Sequence, residues 1–316
     1  MHDDSLNRGV LMSQVVDSWM LGRARVHRIE EWCGPFLTPH LLFAGFDADA
    51  YAACKAAVPP EYLDAASDAL LARLQSWVIE LDGVRVLIDT GAGNDKVRPG
   101  IPLFGGLQTP FLERLASAGF EPEGIDLVVC THLHVDHVGW NTRWVDDRWQ
   151  PTFPRARYVF PQADAEYWDP QRAELYPQKI GAAVNEGFFD DSVRPILDAG
   201  LAELVAGPHE LLPGLRLDPA PGHTPGSTVI TLESAGEHAL FVGDVVHHPL
   251  QVFNPDWNSI FCEDATQARQ TRRAVLERAA DLGAVLVPAH FAGQHRTRVQ
   301  RTATGLRPVG LDGVGL

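Results

Sequence analysis

The sequence predicts an α/β protein, a four-layer αββα sandwich in which two β-rich halves face each other and helices cover the outside. Strand-like segments fall into two groups, and a helical segment accompanies each group. A helix-rich, aromatic stretch separates the groups, and there is no internal repeat. The chain has 316 residues, of which 45% are hydrophobic and 21% are charged, so it can bury the sizeable core that this fold needs.

The first β-rich half contains four short, apolar segments at residues 24–29, 76–81, 84–89 and 126–130. Asp82-Gly83, between the second and the third segment, is a strong signal for a two-residue hairpin turn. A covering helix is predicted over residues 109–118, and Gly119 is its expected C-cap. The helix is indicated by apolar residues at helical spacing, namely Phe111, Leu112, Leu115 and Ala116.

The second half repeats this order of elements, with four strand-like segments at residues 215–218, 227–232, 238–242 and 284–287. A helix is predicted between the last two of them, over residues 265–282. Its apolar residues form one face that can pack on a sheet: Ala268, Val275, Leu276, Ala279 and Leu282.

The domain boundaries follow from these elements. Residues 23–300 are predicted to form the main domain, with a helical insertion at about 161–200 between the two halves. Residues 1–22 are interpreted as an N-terminal extension whose amphipathic pattern fits a dimer contact, so a homodimer is possible. Residues 301–316 contain four glycines and are predicted to be a flexible tail.

Charge and cysteine usage exclude several classes of protein. The formal charge of −15, from 26 Lys and Arg against 41 Asp and Glu, opposes binding to nucleic acid or anionic lipid and favours a small-molecule substrate. The four cysteines form no C-x-x-C pair, which argues against a zinc ribbon or a dithiol redox site. No window approaches the roughly 20 apolar residues of a membrane helix, and the N-terminus is not typical of a signal peptide, so a cytoplasmic protein is expected.

The run His132-Leu133-His134-Val135-Asp136-His137 places four potential metal ligands within six residues. It directly follows the apolar segment 126–130, so a rigid strand would hold the ligands at its carboxyl end. His223, Asp244 and His290 also lie at predicted strand ends or in the adjoining turns. Imidazole and carboxylate groups are suitable ligands for Zn²⁺, although Mn, Co and Fe accept similar ligand sets. The six-residue run alone is compatible with one metal, two metals or a structural site.

In this order the candidates resemble the metallo-β-lactamase superfamily of metal-dependent hydrolases. Its dinuclear members carry H-x-H-x-D-H, then a His, an Asp and a His, and the resemblance spans residues 84–290. It implies a sandwich of the metallo-β-lactamase type that binds two Zn²⁺ per chain. One ion would be bound by His132, His134 and His223, and the other would be bound by Asp136, His137 and His290. Asp244 would bind both ions. Asp89, in an Asp-x-Gly element typical of the family, would orient a ligand imidazole or else form an ordinary turn.

The resemblance also narrows the branch of the superfamily. A bridging Asp244 disfavours a true β-lactamase, His134 disfavours the flavin-linked di-iron enzymes, which have Glu there, and the acidic chain disfavours a nuclease. Acyl-homoserine lactonases typically carry a Tyr soon after the ligand clusters, whereas this chain has His247. The imidazole N–H of His247 would then support the oxyanion, unless the side chain is simply exposed to solvent.

The predicted function is therefore a dinuclear metal-dependent hydrolase that opens a lactone, or cleaves a related carboxylic ester, through a metal-bridging hydroxide. Asp136 is the expected proton shuttle, and His247 is a candidate catalytic donor. A hydrophobic substrate portion is expected because loop 92–110 and nearby aromatic residues are candidate walls of the site: Trp140, Trp144, Trp149, Phe253 and Trp257. The alternatives are an aryl ester or organophosphate hydrolase, a mononuclear iron enzyme that oxidises sulfur, and a binding module whose ions only hold the fold.

Overall fold

The computed structural model of the protein describes residues 17–178, 181–313 and 316. In this part of the chain two β-sheets pack face to face, and helices cover the outer face of each sheet. The predicted four-layer αββα sandwich is thus confirmed. None of the helices in the described ranges is long and apolar enough to cross a lipid bilayer.

Seven strands of the described chain form the larger sheet, which is antiparallel at its N-terminal edge and parallel from the fourth strand onward. In spatial order these strands are Ser18–Leu21, Ala24–Pro35, Leu71–Leu81, Val84–Ile88, Leu127–Val129, Arg157–Pro161 and Ala202–Val205. The five strands of the smaller sheet are His209–Leu212, Leu215–Pro219, Thr228–Ser234, Glu237–Gly243 and Val285–Pro288, and only the last pair is parallel among those described.

The α-helices of the described chain are mostly short, and the longest packs on the smaller sheet. They are Pro39–Leu42, Ala48–Lys55, Phe111–Ser117, Gln162–Tyr167, Gly181–Val184, Arg194–Asp198, Leu250–Phe253 and Ala265–Leu282, with a π-helix at Phe189–Val193. Short 3₁₀ turns lie at Pro60–Tyr62, Pro102–Phe104, Pro122–Gly124, Gly139–Asn141 and Pro170–Arg172. Small two-stranded pairs join Phe43–Ala44 to Asn258–Ser259, Thr142–Val145 to Arg148–Pro151, and Arg298–Thr302 to Gly305–Val309.

Side chains alternate between the two faces of the larger sheet, so its strands contribute both to the core between the sheets and to the core beneath the outer helices. In Leu71–Leu81, Trp77 and Ile79 pack into the layer between the sheets, whereas Val78 packs beneath the outer helices. Because successive residues of a strand face opposite sides, a stretch of strand that is buried in both cores needs consecutive apolar residues, as Trp77, Val78 and Ile79 provide. The outer core of the smaller sheet contains Leu276 and Ala279 of the long helix.

The local signals for turns and caps correspond to the structure. Asp82 and Gly83 have φ values of +50° and +85°, as a type I′ hairpin turn requires. Ala265–Leu282 begins after Asp264, whose carboxylate accepts hydrogen bonds from two backbone N–H groups of the first turn. It ends at Gly283, which has the left-handed φ of +57°.

The chain ends differ from the predicted boundaries. The proposed extension 1–22 lies mostly outside the described residues, but Ser18–Leu21 pairs with the neighbouring strand and belongs to the larger sheet. Residues 301–309, predicted to be part of a flexible tail, instead belong to the hairpin closed by Gly305–Val309. This hairpin is held because Val309 is buried and its carbonyl accepts a hydrogen bond of 2.8 Å from the Thr297 hydroxyl. Gly305, one of the glycines on which the prediction of flexibility rested, is itself paired with Thr302.

Short helices occupy the stretch predicted as an insertion, and a buried ion cluster fastens them to loop 92–110. Arg98 is fully buried and donates two hydrogen bonds, of 2.6 and 2.8 Å, to the Asp191 carboxylate. Lys96 is also fully buried, and its Nζ lies 3.5 Å from Asp191 Oδ1 and donates to the Thr142 hydroxyl. One carboxylate therefore faces two buried cations.

Substitution of Asp191 is expected to destabilise the fold. Asp191→Asn should lower the free energy of unfolding by about 3 kcal/mol, because it leaves the buried Arg98 guanidinium without its counter-charge. Urea denaturation at neutral pH would measure this loss. The exposed neighbour Asp190 provides a matched control, since Asp190→Asn should change stability by less than about 0.5 kcal/mol. Equal effects of the two substitutions would contradict this account of the cluster.

Lys96 should also make stability depend on pH. Burial lowers its pKa to about 7 from the ordinary value of 10.5, in opposition to the attraction of Asp191. Between these two values the folded protein binds fewer protons than the unfolded chain, so stability should rise with pH. The free energy of unfolding of the wild type, minus that of Lys96→Met, should therefore increase from about pH 7 to about pH 10. The surface variant Lys55→Met should show no such trend, and parallel curves for wild type and Lys96→Met would refute the prediction.

Candidate metal centre

The structure brings all seven predicted ligands together where loops leave the ends of strands from both sheets. The run His132–His137 follows the strand Leu127–Val129 of the larger sheet. His223 precedes a strand of the smaller sheet, and Asp244 and His290 each follow one. The side chains form two groups, in each of which the potential ligand atoms lie within 4.8 Å of one another: His132, His134, His223 and Asp244; and Asp136, His137 and His290.

The Asp244 carboxylate lies between the two groups. Its Oδ2 is 3.2 Å from His223 Nε2 and 3.9 Å from His132 Nε2. Its Oδ1 is 2.9 Å from His290 Nε2 and 3.3 Å from His137 Nε2. Each carboxylate oxygen thus faces one group, which is the arrangement that a ligand shared by two cations requires.

Buried polar atoms without partners indicate what the site is built to hold. Among the described residues, no hydrogen bond satisfies His132 Nε2, His137 Nε2 or Asp244 Oδ1. His134 Nδ1 and His223 Nε2 face each other at 3.0 Å. Because an unpaired buried polar atom is costly, this convergence fits a pair of metal ions better than a self-contained hydrogen-bond network.

The charge states of two imidazoles and of the shared carboxylate fit a cation site. Burial lowers the pKa values of His132 and His134 well below the usual range, so both imidazoles are neutral, as metal ligands must be. Burial alone would raise the pKa of Asp244, but His290, His247 and His137 outweigh it, so the carboxylate stays ionised. Burial likewise opposes protonation of His223, but Asp244 and Cys262 raise its pKa to about 9. A metal that binds His223 must therefore displace a proton.

Hydrogen bonds behind the ligands orient their rings. His137 Nδ1 lies 2.9 Å from Asp89 Oδ2, in line with the orienting role that the family resemblance implies for Asp89. The Asp89 carboxylate also accepts hydrogen bonds from the backbone N–H and the hydroxyl group of Thr131. The hydroxyl oxygen of Thr131 lies 3.1 Å from His132 Nδ1. His290 Nδ1 lies 2.9 Å from the carbonyl oxygen of Arg73. With Nδ1 held in this way, each of these three rings presents Nε2 to the centre.

Asp164, which sequence analysis missed, joins the two loops that carry the first ligand group. Its buried carboxylate accepts hydrogen bonds from Leu133 N at 2.8 Å, Gly226 N at 2.6 Å and the Thr224 hydroxyl at 2.8 Å. Leu133 lies between His132 and His134, and Thr224 follows His223. Burial raises the pKa of Asp164 to about 6, although these hydrogen bonds oppose the rise. A single acidic residue in a short helix gives no signal of this role in the sequence.

His247 lies at the edge of the centre and is buried, not exposed to solvent. Its Nε2 is 3.1 Å from Asp244 Oδ2, but neither ring nitrogen makes a hydrogen bond of good geometry with a described residue. Burial lowers its pKa to about 4, so the imidazole is neutral at neutral pH. The Gln251 side chain accepts a hydrogen bond of 2.7 Å from its backbone N–H. The adjacent His248 instead lies against the Tyr62 carbonyl at 3.2 Å.

The cavity beside the centre is apolar, as predicted, but most of its walls come from other residues than expected. Ile101 and Phe104 of loop 92–110 contribute, together with Trp32, Phe36, Leu71 and Phe261. Of the aromatic residues predicted as walls, Trp140 stacks on Phe111 and belongs to the core. Phe253 and Trp257 pack in or against the other outer core, and Trp144 is half exposed. Trp149 lies beneath the ammonium group of Lys96.

Comparisons with known proteins point to one family. The sequence profile of the metallo-β-lactamase superfamily matches residues 75–290. An N-acyl homoserine lactonase from Bacillus sp is 26% identical over 179 residues, which are 52% of this chain and 61% of that protein. An N-acyl homoserine lactonase from Bacillus cereus is 23% identical over 169 residues, 50% of this chain and 57% of that protein. The chain thus spans about three fifths of the length of these curated relatives.

Solved structures share the fold over nearly the whole chain. The hydrolase AbOPH of the β-lactamase superfamily has a TM-score of 0.78 at 21% identity, over 94% of this chain and 97% of that one. AidC, a dizinc quorum-quenching lactonase in complex with a product, has a TM-score of 0.72 at 21% identity. The match covers 93% of this chain and 97% of that one. At such identities the likeness establishes the fold.

Asp164 offers a test of how the centre is supported. Asp164→Asn replaces one acceptor oxygen by a donor, so at least one of the three hydrogen bonds is lost. The free energy of unfolding should fall by about 1–3 kcal/mol, and the loops that carry His132, His134 and His223 should be less well aligned. Urea denaturation and elemental analysis of bound metal would measure the two effects. Glu166→Gln, on the partly exposed side of the same helix, is the control, and identical behaviour of both variants would exclude a bracing role for Asp164.

Proposed function

The chain belongs to the metallo-β-lactamase superfamily, and we propose that it is a dinuclear metal-dependent hydrolase that opens lactones or cleaves related carboxylic esters. The observation that carries this proposal is the position of Asp244, with one carboxylate oxygen facing each ligand group. A site for a single ion would not need both oxygens to face separate histidine clusters. The buried, unpartnered nitrogens of His132 and His137 support the same conclusion.

The donor set assigns ligands to both ions. His132, His134 and His223 would hold the first, and Asp136, His137 and His290 the second, with Asp244 shared. Zinc fits this combination of imidazoles and carboxylates, and Mn, Co or Fe would be accepted by the same donors. Two such ions, when bound, would supply Lewis acidity and a hydroxide nucleophile at neutral pH.

The remaining groups of the site suit the movement of protons and the stabilisation of charge. Asp136 lines the cavity and keeps some solvent exposure, so its carboxylate can pass a proton towards the leaving oxygen. His247 also lines the cavity and is neutral, so one of its nitrogens carries a proton to donate to a developing oxyanion.

The cavity favours substrates with a hydrophobic portion. Its lining combines aromatic side chains such as Trp32 and Phe104 with aliphatic ones such as Leu71. The names of the relatives support a lactone, and the extensive fold likeness to AbOPH does not favour one substrate over another. An aryl ester or organophosphate remains the second candidate class, because the same apolar walls would accept an aryl leaving group.

A hydrolysis panel tests the proposed function. Protein reconstituted with zinc should hydrolyse γ-lactones or carboxylic esters with hydrophobic chains faster than phosphotriesters of similar size. Asp244→Asn should lower kcat/KM by about 100-fold or more, because it removes the negative charge shared by both ligand groups. His134→Ala provides the inactive blank. One iron per chain with thiol-dependent oxygen uptake would instead indicate the sulfur-oxidising enzyme, and turnover unchanged in Asp244→Asn would favour a non-catalytic role for the metals.

His247 can be tested separately from metal binding. His247→Phe keeps a ring but removes the donor, and should lower kcat by about 100-fold with little change in KM. His247→Gln keeps an N–H and should retain more activity. Both variants should bind the same number of metal ions as the wild type by elemental analysis. Loss of one ion from both variants would show that His247 is a ligand and not a donor.

A further inference from the structure

Asn185 stands out as a polar residue in the apolar wall of the cavity. It directly follows the helix Gly181–Val184, and only 6% of its surface is exposed. It lines the same cavity as the ligands His134 and Asp136. Neither the proposed hydrolysis nor the seven-ligand set gives this side chain a role.

The orientation of its amide is fixed by the ligand loop. Asn185 Oδ1 accepts a hydrogen bond of 3.0 Å from the backbone N–H of Val135. Because that N–H can only donate, the oxygen of the amide must face it and Nδ2 must point away. Val135 lies between His134 and Asp136, so the amide is fastened to the segment that carries one ligand from each group.

The Nδ2 group has two protons to donate and no acceptor of good geometry among the described residues. Gly181, which also lines the cavity, keeps the space beside it open, because a Cβ atom at position 181 would lie 2.9 Å from Nδ2 and would also collide with the Trp168 ring. A largely buried donor without an acceptor costs free energy unless a ligand or water supplies one. His248, a further histidine in the cavity lining that is not a candidate ligand, already lies against the Tyr62 carbonyl.

We propose that Asn185 binds the substrate by donating a hydrogen bond from Nδ2 to a second acceptor oxygen, separate from the bond that is cleaved. This inference rests on the proposed hydrolase function and narrows its substrate class. The preferred substrate is a lactone or ester with an additional carbonyl group, such as an amide, close to the scissile bond. A neutral amide donor in an apolar wall suits a neutral carbonyl oxygen, because the donor replaces a hydrogen bond that the oxygen loses when it leaves water.

Two matched probes test this role. N-hexanoyl homoserine lactone carries the second carbonyl, and a γ-butyrolactone with an alkyl chain of the same length lacks it. Asn185→Asp keeps an oxygen for the Val135 N–H but replaces the donor with an acceptor. It should lower the ratio of kcat/KM for the amide-bearing lactone to kcat/KM for the alkyl lactone on the order of tenfold, because only the first probe has the second carbonyl. Asn185→Ala removes the donor without adding charge and should shift the ratio of the two kcat/KM values in the same direction.

The possible outcomes separate this inference from the proposed function. If the wild type, with two metals bound, hydrolyses neither probe nor any other ester, the proposed function fails and the role of Asn185 fails with it. If the wild type hydrolyses both probes and the Asn185 variants slow both equally, the hydrolase proposal stands. Asn185 then only braces the ligand loop, and the inference is overturned. If Asn185→Asp does not fold, the ratio for Asn185→Ala decides between these roles.

Discussion

The burial of one ionised carboxylate, that of Asp244, constrains much of the structure around it. A buried negative charge requires polar or positively charged partners, and five histidine rings surround this one within 3.9 Å. Those rings come from both halves of the chain, so the two sheets must meet at this point. Gly243, with a φ of +48°, permits the close approach, because a Cβ atom there would lie 2.6 Å from the Thr131 hydroxyl oxygen. The backbone geometry of Gly243 and the charge of Asp244 thus both favour contact between the two halves of the chain at this point.

The convergence of the seven candidate ligands could be predicted because each has a local signature. The four ligands of the run His132–His137 lie within six residues, and His223, Asp244 and His290 each adjoin an apolar strand that the sequence reveals. The supporting residues have no such signature. Asp164 acts on Gly226, which is 62 residues further along the chain, and its importance arises only from being buried there. Asn185 likewise becomes distinctive only through its neighbours in space.

The fold shows a similar division between local and distant determinants. The hairpin at Asp82-Gly83 and the helix Ala265–Leu282 follow from turn and cap chemistry contained in a few residues. The strand Arg157–Pro161 was missed although it lies inside the larger sheet, because five residues that end in proline give little periodic signal. The walls of the cavity were mislocated for a related reason. Trp32 and Phe36 precede the metal ligands by about 100 residues, and only the pairing of the long strands brings them to the site.

The ion pair between Arg98 and Asp191 affects how the cavity can discriminate between molecules. Arg98 lies three residues before Ile101, which is part of the cavity wall, and the pair ties this wall to the π-helix on the far side of the insertion. Swinging the wall outward would expose a buried guanidinium and break two hydrogen bonds at once. The cavity should therefore act as a preorganised template that admits ligands by their fit, since the entropic cost of ordering its wall is met during folding and not during binding.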